Sequence, residues 1–175
     1  MAVIVCCNYH HCIAFGRILP SKLKSVNIFH LKTSYMKGFK TDIKFTALKN
    51  KNFRKVLYTS SHLQLVVMAL RPGEEIGLET HHDNDQFFRV EEGKAKCIID
   101  KTEYEAHSGD VIIVPAGAKH NIINLDKSTE LKLCTIYTPP HHKDGITHAT
   151  KAVAEHSHEV FDGKTTEPAA TTYSD

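Results

Sequence analysis

The stretch Ser108-Gly-Asp-Val-Ile-Ile-Val-Pro-Ala-Gly-Ala-Lys-His-Asn-Ile-Ile-Asn124 decides the fold class. It contains two short β-branched runs, 111–114 and 120–124, each entered through a turn built on Gly or Pro. No helical period fits between those turns. The same pattern extends in both directions. Upstream, 63–70 (Leu-Gln-Leu-Val-Val-Met-Ala-Leu) stops at Arg71-Pro-Gly, and 86–91 stops at Glu92-Gly. Residues 95–99 follow Gly93 as the second arm of a hairpin, and Asp100-Lys-Thr turns into 103–106. Downstream, 131–137 alternates and ends at Pro139-Pro140. Short strands at this spacing predict an all-β antiparallel sandwich or barrel.

Composition sets the bounds. The 175 residues are 41% hydrophobic and 24% charged with a net charge of +2, as expected for one soluble domain plus extensions. That balance, with no Trp and no basic stripe interleaved with aromatics, gives no reason to expect nucleic acid or an anionic membrane as partner. No apolar run is long enough to span a bilayer. The five cysteines form no Cys-x-x-Cys pair. Cys97 and Cys134 stand singly in apolar runs and read as small core residues of a reducing compartment.

Three segments are expected: an N-terminal extension over 1–50, a barrel over 51–145 and a C-terminal helix or tail over 146–175. The first has six basic residues before its first acidic one, Asp42, so it reads either as an organelle transit segment or as a dispensable extension with Met36 as an alternative start. Localisation is accordingly cytoplasmic, or organellar if the segment targets. In the last, 149–159 has room for one short helix, and 165–175 reads as flexible.

The chemistry lies in Glu79-Thr-His-His-Asp-Asn-Asp-Gln86 and in His120, which closes the Pro-Ala-Gly-Ala-Lys-His run. On a strand Glu79 and His81 share a face. Gln86 begins the next strand, where facing inward places Phe88 and Val90 in the core. Singly, each residue has an ordinary structural explanation: His81 as a surface turn histidine like His82, Glu79 as a solvated residue, Gln86 as a buried amide. Together Glu79, His81, Gln86 and His120 offer two imidazoles, a carboxylate and an amide oxygen. That set suits one divalent transition metal such as Fe, Mn, Ni, Co or Zn. Binding requires neutral His and ionised Glu79, so affinity should fall as the pH drops.

These residues resemble the cupin family. Gly109, Pro115, Gly117, His120 and Asn124 stand at the spacing of the second cupin motif. Gly73, His81 and Gly93 keep the spacing of the first, with Glu79 where that motif has a histidine and Gln86 where it has a glutamate. The segments 85–93, 114–117, 137–142 and 161–167 are similar to those of small single-domain cupins. The resemblance spans about residues 52–167. Where such proteins often carry Asp-Gly, this chain has Asp100-Lys101, so Lys101 would have to accept a turn conformation that Gly reaches more easily.

The resemblance implies a double-stranded β-helix, or jelly-roll, commonly a homodimer, with a metal near the mouth. Some cupins resemble sugar-phosphate isomerases, some are dioxygenases, and some bind ligands without catalysis. The expectation is therefore a metal-binding protein acting on, or simply binding, a small polar metabolite. Tyr137 and His142 are the candidates for proton transfer if their segment folds over the mouth.

Overall fold

A computed structural model describes residues 36–168, which form two antiparallel sheets. The elements run α1 (Ile43–Lys49), β1 (Arg54–Thr59), β2 (Gln64–Leu70), β3 (Glu79–Thr80), β4 (Asp85–Glu92), β5 (Lys94–Ile99), β6 (Thr102–His107), β7 (Val111–Val114), β8 (Lys119–Asn124), β9 (Leu131–Thr138), β10 (Thr147–His148) and α2 (Lys151–His156). One sheet has the order β10-β1-β2-β9-β4-β7 and the other β3-β8-β5-β6. These are the antiparallel sheets that the alternating strands predict, in the jelly-roll arrangement that the resemblance implies. Residues 1–35, the bulk of the segment given the targeting reading, lie outside the described residues. No helix among the described residues is long and apolar enough to cross a membrane.

Inward and outward positions follow the pleat. On β4, Gln86, Phe88 and Val90 are buried, whereas Phe87 and Arg89 are only half-buried. On β7, Ile112 and Val114 face the core while Val111 and Ile113 are exposed. His120, Ile122 and Asn124 of β8 are all inside. Phe88, Val90, Ile122, Leu131 and Leu133 therefore interdigitate between the sheets, with Cys97 among them. Burial pushes the Cys97 thiol up to about 11 and Cys134 up to about 12, which fits small core residues.

Motif residues also hold the frame. The Asn124 amide nitrogen contacts the carbonyls of Leu70, Arg71 and Thr129 at 2.9–3.1 Å, tying three segments together. Gly93 turns β4 into β5 at φ +92°, and a Cβ there would lie 3.1 Å from the Glu130 carbonyl. At the Asp100-Lys101 turn it is Asp100, at φ 50°, that takes the left-handed conformation, so Lys101 is spared it.

Two regions are more ordered than their composition predicts. Within the expected irregular extension, α1 is capped by Asp42, whose carboxylate accepts from Phe45 N at 3.0 Å, and it packs on β2, β4 and β9. Residues 165–167, expected to be flexible, are pinned: Thr166 N donates to the Thr59 carbonyl at 2.9 Å, and Glu167 accepts from the amides of Lys37 and Gly38. The short helix expected within 149–159 is α2, capped by Thr150.

Candidate metal centre

Strand pairing brings the two motifs together. Glu79 on β3 stands opposite His120 on β8, while Gln86 on β4 stands opposite both Val114 on β7 and Tyr137 on β9. The turns are laced as well: Gly117 N donates to the His81 carbonyl at 2.7 Å, and Ala116 N to the Asp85 carboxylate at 2.9 Å. As a result one ligand atom each of Glu79, His81 and His120 lies within 4.8 Å of the others. Gln86 joins them, with Oε1 3.0 Å from His120 Nε2. All four residues singled out in the sequence therefore meet between the sheets.

The donor set fits a transition metal. Donors held ~2.1 Å from one ion stand ~3.0 Å apart at a right angle and ~3.4 Å apart at a tetrahedral one. His81 Nε2 is 3.3 Å from Glu79 Oε2, and His120 Nε2 is 3.0 Å from Gln86 Oε1, both edges of that size. His120 presents both ring nitrogens to carbonyl-type oxygens, Ala118 O at 3.2 Å and Gln86 Oε1 at 3.0 Å. A neutral imidazole has only one N–H, so with Nδ1–H donating to Ala118 the Nε2 lone pair is left facing the cluster, where a cation can bind. Burial holds His120 below the usual histidine range, against a raising hydrogen bond to Ala118, so an ion rather than a proton fits better there. His81 Nε2 is buried and has no aligned hydrogen-bond partner.

Electrostatics keep the carboxylate ready. Burial alone would raise Glu79, but the approach of His81 at 3.3 Å and the Arg54 charge outweigh it and leave Glu79 below the ordinary range. Arg54 Nη2 lies 3.7 Å from Glu79 Oε1. Gln86 is fixed by donating to the Thr135 hydroxyl at 3.2 Å.

The segment after β9 folds over this cluster. The His141 ring packs 4.3 Å from that of His81, and Tyr137 stacks on His141 at 5.4 Å. His142 is not an exposed loop residue; it is 4% exposed, with Nδ1 3.2 Å from Glu159 Oε1. Tyr137, 1% exposed, is a packed strand residue whose hydroxyl is driven up by burial. Burial also pushes His141 down to about 4, so it is neutral at pH 7. Two hollows of about 440 Å³ open elsewhere, one beside Tyr104 and Ile113 and the other beside Phe39 and Phe87, and no cluster residue lines them. The half-buried side of Glu79, 25% exposed, is where the cluster meets solvent.

Sequence reasoning missed Arg54, His141, His148 and Glu159. His141 and His142 share the noted Pro-Pro-His-His run, but nothing in that run signals burial. Arg54 opens a strand that has no apolar start, and Glu159 lies in a polar tail, so neither carries a local sign.

Comparison with known proteins agrees with this geometry. Residues 66–137 match the family model of the cupin domain. The uncharacterized protein YrkC of Bacillus subtilis (strain 168) is 39% identical over 145 residues, 79% of this chain and 77% of that protein. The uncharacterized protein L612 of Acanthamoeba polyphaga mimivirus is 43% identical over 107 residues, 59% of this chain and 67% of that protein. The crystal structure of BH2720 from Bacillus halodurans is similar at 38% identity and a TM-score of 0.66, covering 68% of this chain and 94% of that one.

Proposed function

The chain belongs to the cupin family, and on that premise we propose that it holds one divalent transition metal on Glu79, His81 and His120 and acts there on a small polar metabolite. The observation that carries this reading is the convergence of the three ligand atoms within 4.8 Å. Gln86 supplies a neutral fourth contact. When bound, the ion supplies a Lewis acid and an open coordination position for an oxygenated substrate, as isomerase or dioxygenase chemistry requires.

The remaining groups have separate tasks. His141 and Tyr137 cover one side of His81 and keep water from it. Glu159 holds His142 through Nδ1, which leaves Nε2 with no partner and free to take or return a proton. Tyr137, kept protonated by burial, offers a neutral hydroxyl and not a base.

A second reading, a cupin that binds a ligand or metal without turnover, draws support from Gln86. A neutral amide already bonded to Thr135 is a weaker ligand than a carboxylate. The two readings are separated by loading the full chain with Fe(II) without oxygen, adding sugars and other oxygenated metabolites, and then following oxygen uptake and isomerised product. The enzyme reading expects turnover that disappears in His120→Ala. Binding without turnover across the metal series would favour the second reading.

A further inference from the structure

Arg54 is a buried cation without a hydrogen bond among the described residues. Its side chain is 9% exposed, and its nearest carboxylate oxygen, on Glu79, is 3.7 Å away, beyond hydrogen-bond reach. Its Nε is buried with no acceptor, and the guanidinium leans on the Phe53 ring at 5.7 Å. A guanidinium has five N–H donors and no acceptor, so burying one unpaired is costly.

The orphaned groups are concentrated in one place. Among the described residues the buried side-chain nitrogens without a partner are Arg54 Nε, His81 Nε2, His142 Nε2 and His148 Nδ1. Arg54 stands opposite His148 in the β1–β10 register. His142 and His148 approach the same Glu159 oxygen, at 3.2 and 3.9 Å. His81 contacts Glu79, the carboxylate that also faces Arg54. The proposed ion accounts for His81 and leaves Arg54 without an acceptor.

Charge identifies the missing partner. One guanidinium with two carboxylates, Glu79 and Glu159, leaves the constellation one negative charge. A divalent ion turns this into one positive charge, which a monoanion balances. The planar guanidinium fork matches the two oxygens of a carboxylate.

We propose that Arg54 anchors the carboxylate of the ligand, making the small polar metabolite a small monocarboxylic acid whose neighbouring oxygen reaches the Glu79–His81–His120 cluster. This rests on the metal reading above and narrows its substrate class. If Arg54 only orients Glu79, any preference for acids comes from the ion and survives Arg54→Gln.

The test uses the full chain saturated with Mn²⁺. Thermal midpoints and titration calorimetry compare glycolate, lactate, pyruvate and glycerate, each against its own amide. At least one acid should raise the midpoint and bind about tenfold or more tightly than its amide. In Arg54→Gln, loaded with Mn²⁺ until elemental analysis gives the same occupancy as wild type, that preference should vanish. Equal binding of acids and amides, no binding by any acid, or an undiminished acid preference in Arg54→Gln overturns the proposal. The acid–amide comparison in wild type needs no variant to fold. If the protein takes up no metal, the metal reading fails, and the same panel run on the metal-free chain still decides whether an Arg54-dependent acid site exists.

Discussion

Gln86 is the residue on which metal strength turns. It places a neutral oxygen 3.0 Å from His120 Nε2, where a carboxylate would add a charge to the ligand set. Gln86→Glu should therefore tighten Mn²⁺ or Zn²⁺ binding by about tenfold or more, read by competition with a chelating dye. Unchanged or weaker binding would mean that Gln86 does not face the ion. The buried histidines set the acid limit. His120, His141, His142 and His148 are all held below the ordinary histidine value of 6.5, chiefly by burial, so the folded chain favours their neutral forms. As the pH falls below about 6.5 the unfolded chain takes up more protons than the folded one. Stability is thus fully present above 6.5 and is lost as the pH drops towards the folded His141 value of about 4. Glu79 and Glu159, whose folded values are depressed, act in the same direction below 4.5. Urea midpoints of the metal-free protein should fall steadily from pH 7 to pH 5; a flat profile would contradict this.

At the scale of elements, the hairpin at Gly93 is the tightest constraint. A Cβ there meets the Glu130 carbonyl at 3.1 Å and Leu131 Cα at 3.2 Å, on a left-handed backbone. Gly93→Ala should cost about 1–3 kcal/mol, visible as a lowered denaturation midpoint with the strands otherwise intact. The tail contributes through Glu159: Glu159→Ala strips the partner from buried His142 and should cost about 1–3 kcal/mol. Loss of the same amount in a His142→Ala, Glu159→Ala pair as in either single change would confirm that they act as a unit. Strands such as β4, β7 and β9 were legible because alternation with bounding Gly and Pro is a local signal. The two-residue strand β10 was not, because only its pairing with β1 defines it, and β3, expected to carry both Glu79 and His81, ends at Thr80. β1 was hidden by Arg54, an inward position at which the pattern expects an apolar side chain. Helix α1 is seven residues long and gains its stability from packing, which composition does not reveal.

For the whole molecule, the candidate metal ligands were legible because motif spacing survives in sequence, whereas the cover of His141, His142 and Glu159 exists only once the chain after β9 has folded back. Assembly is a separate expectation. The edge strand β7 exposes Val111 at 50% and Ile113 at 57%, with Tyr104 nearby at 52%, and we propose this face for the homodimer. Sedimentation should give a dimer for wild type and a monomer for Ile113→Glu; an unchanged mass would place the contact elsewhere. The central claim, a metal held by Glu79, His81 and His120, is tested most directly by elemental analysis after dialysis against Fe, Mn, Ni, Co and Zn in turn. The account predicts about one equivalent of ion in wild type and little or none in His81→Ala or His120→Ala. A wild-type protein that retains no ion and gains no stability from any of the five would contradict it, as would a His81→Ala variant with full metal content.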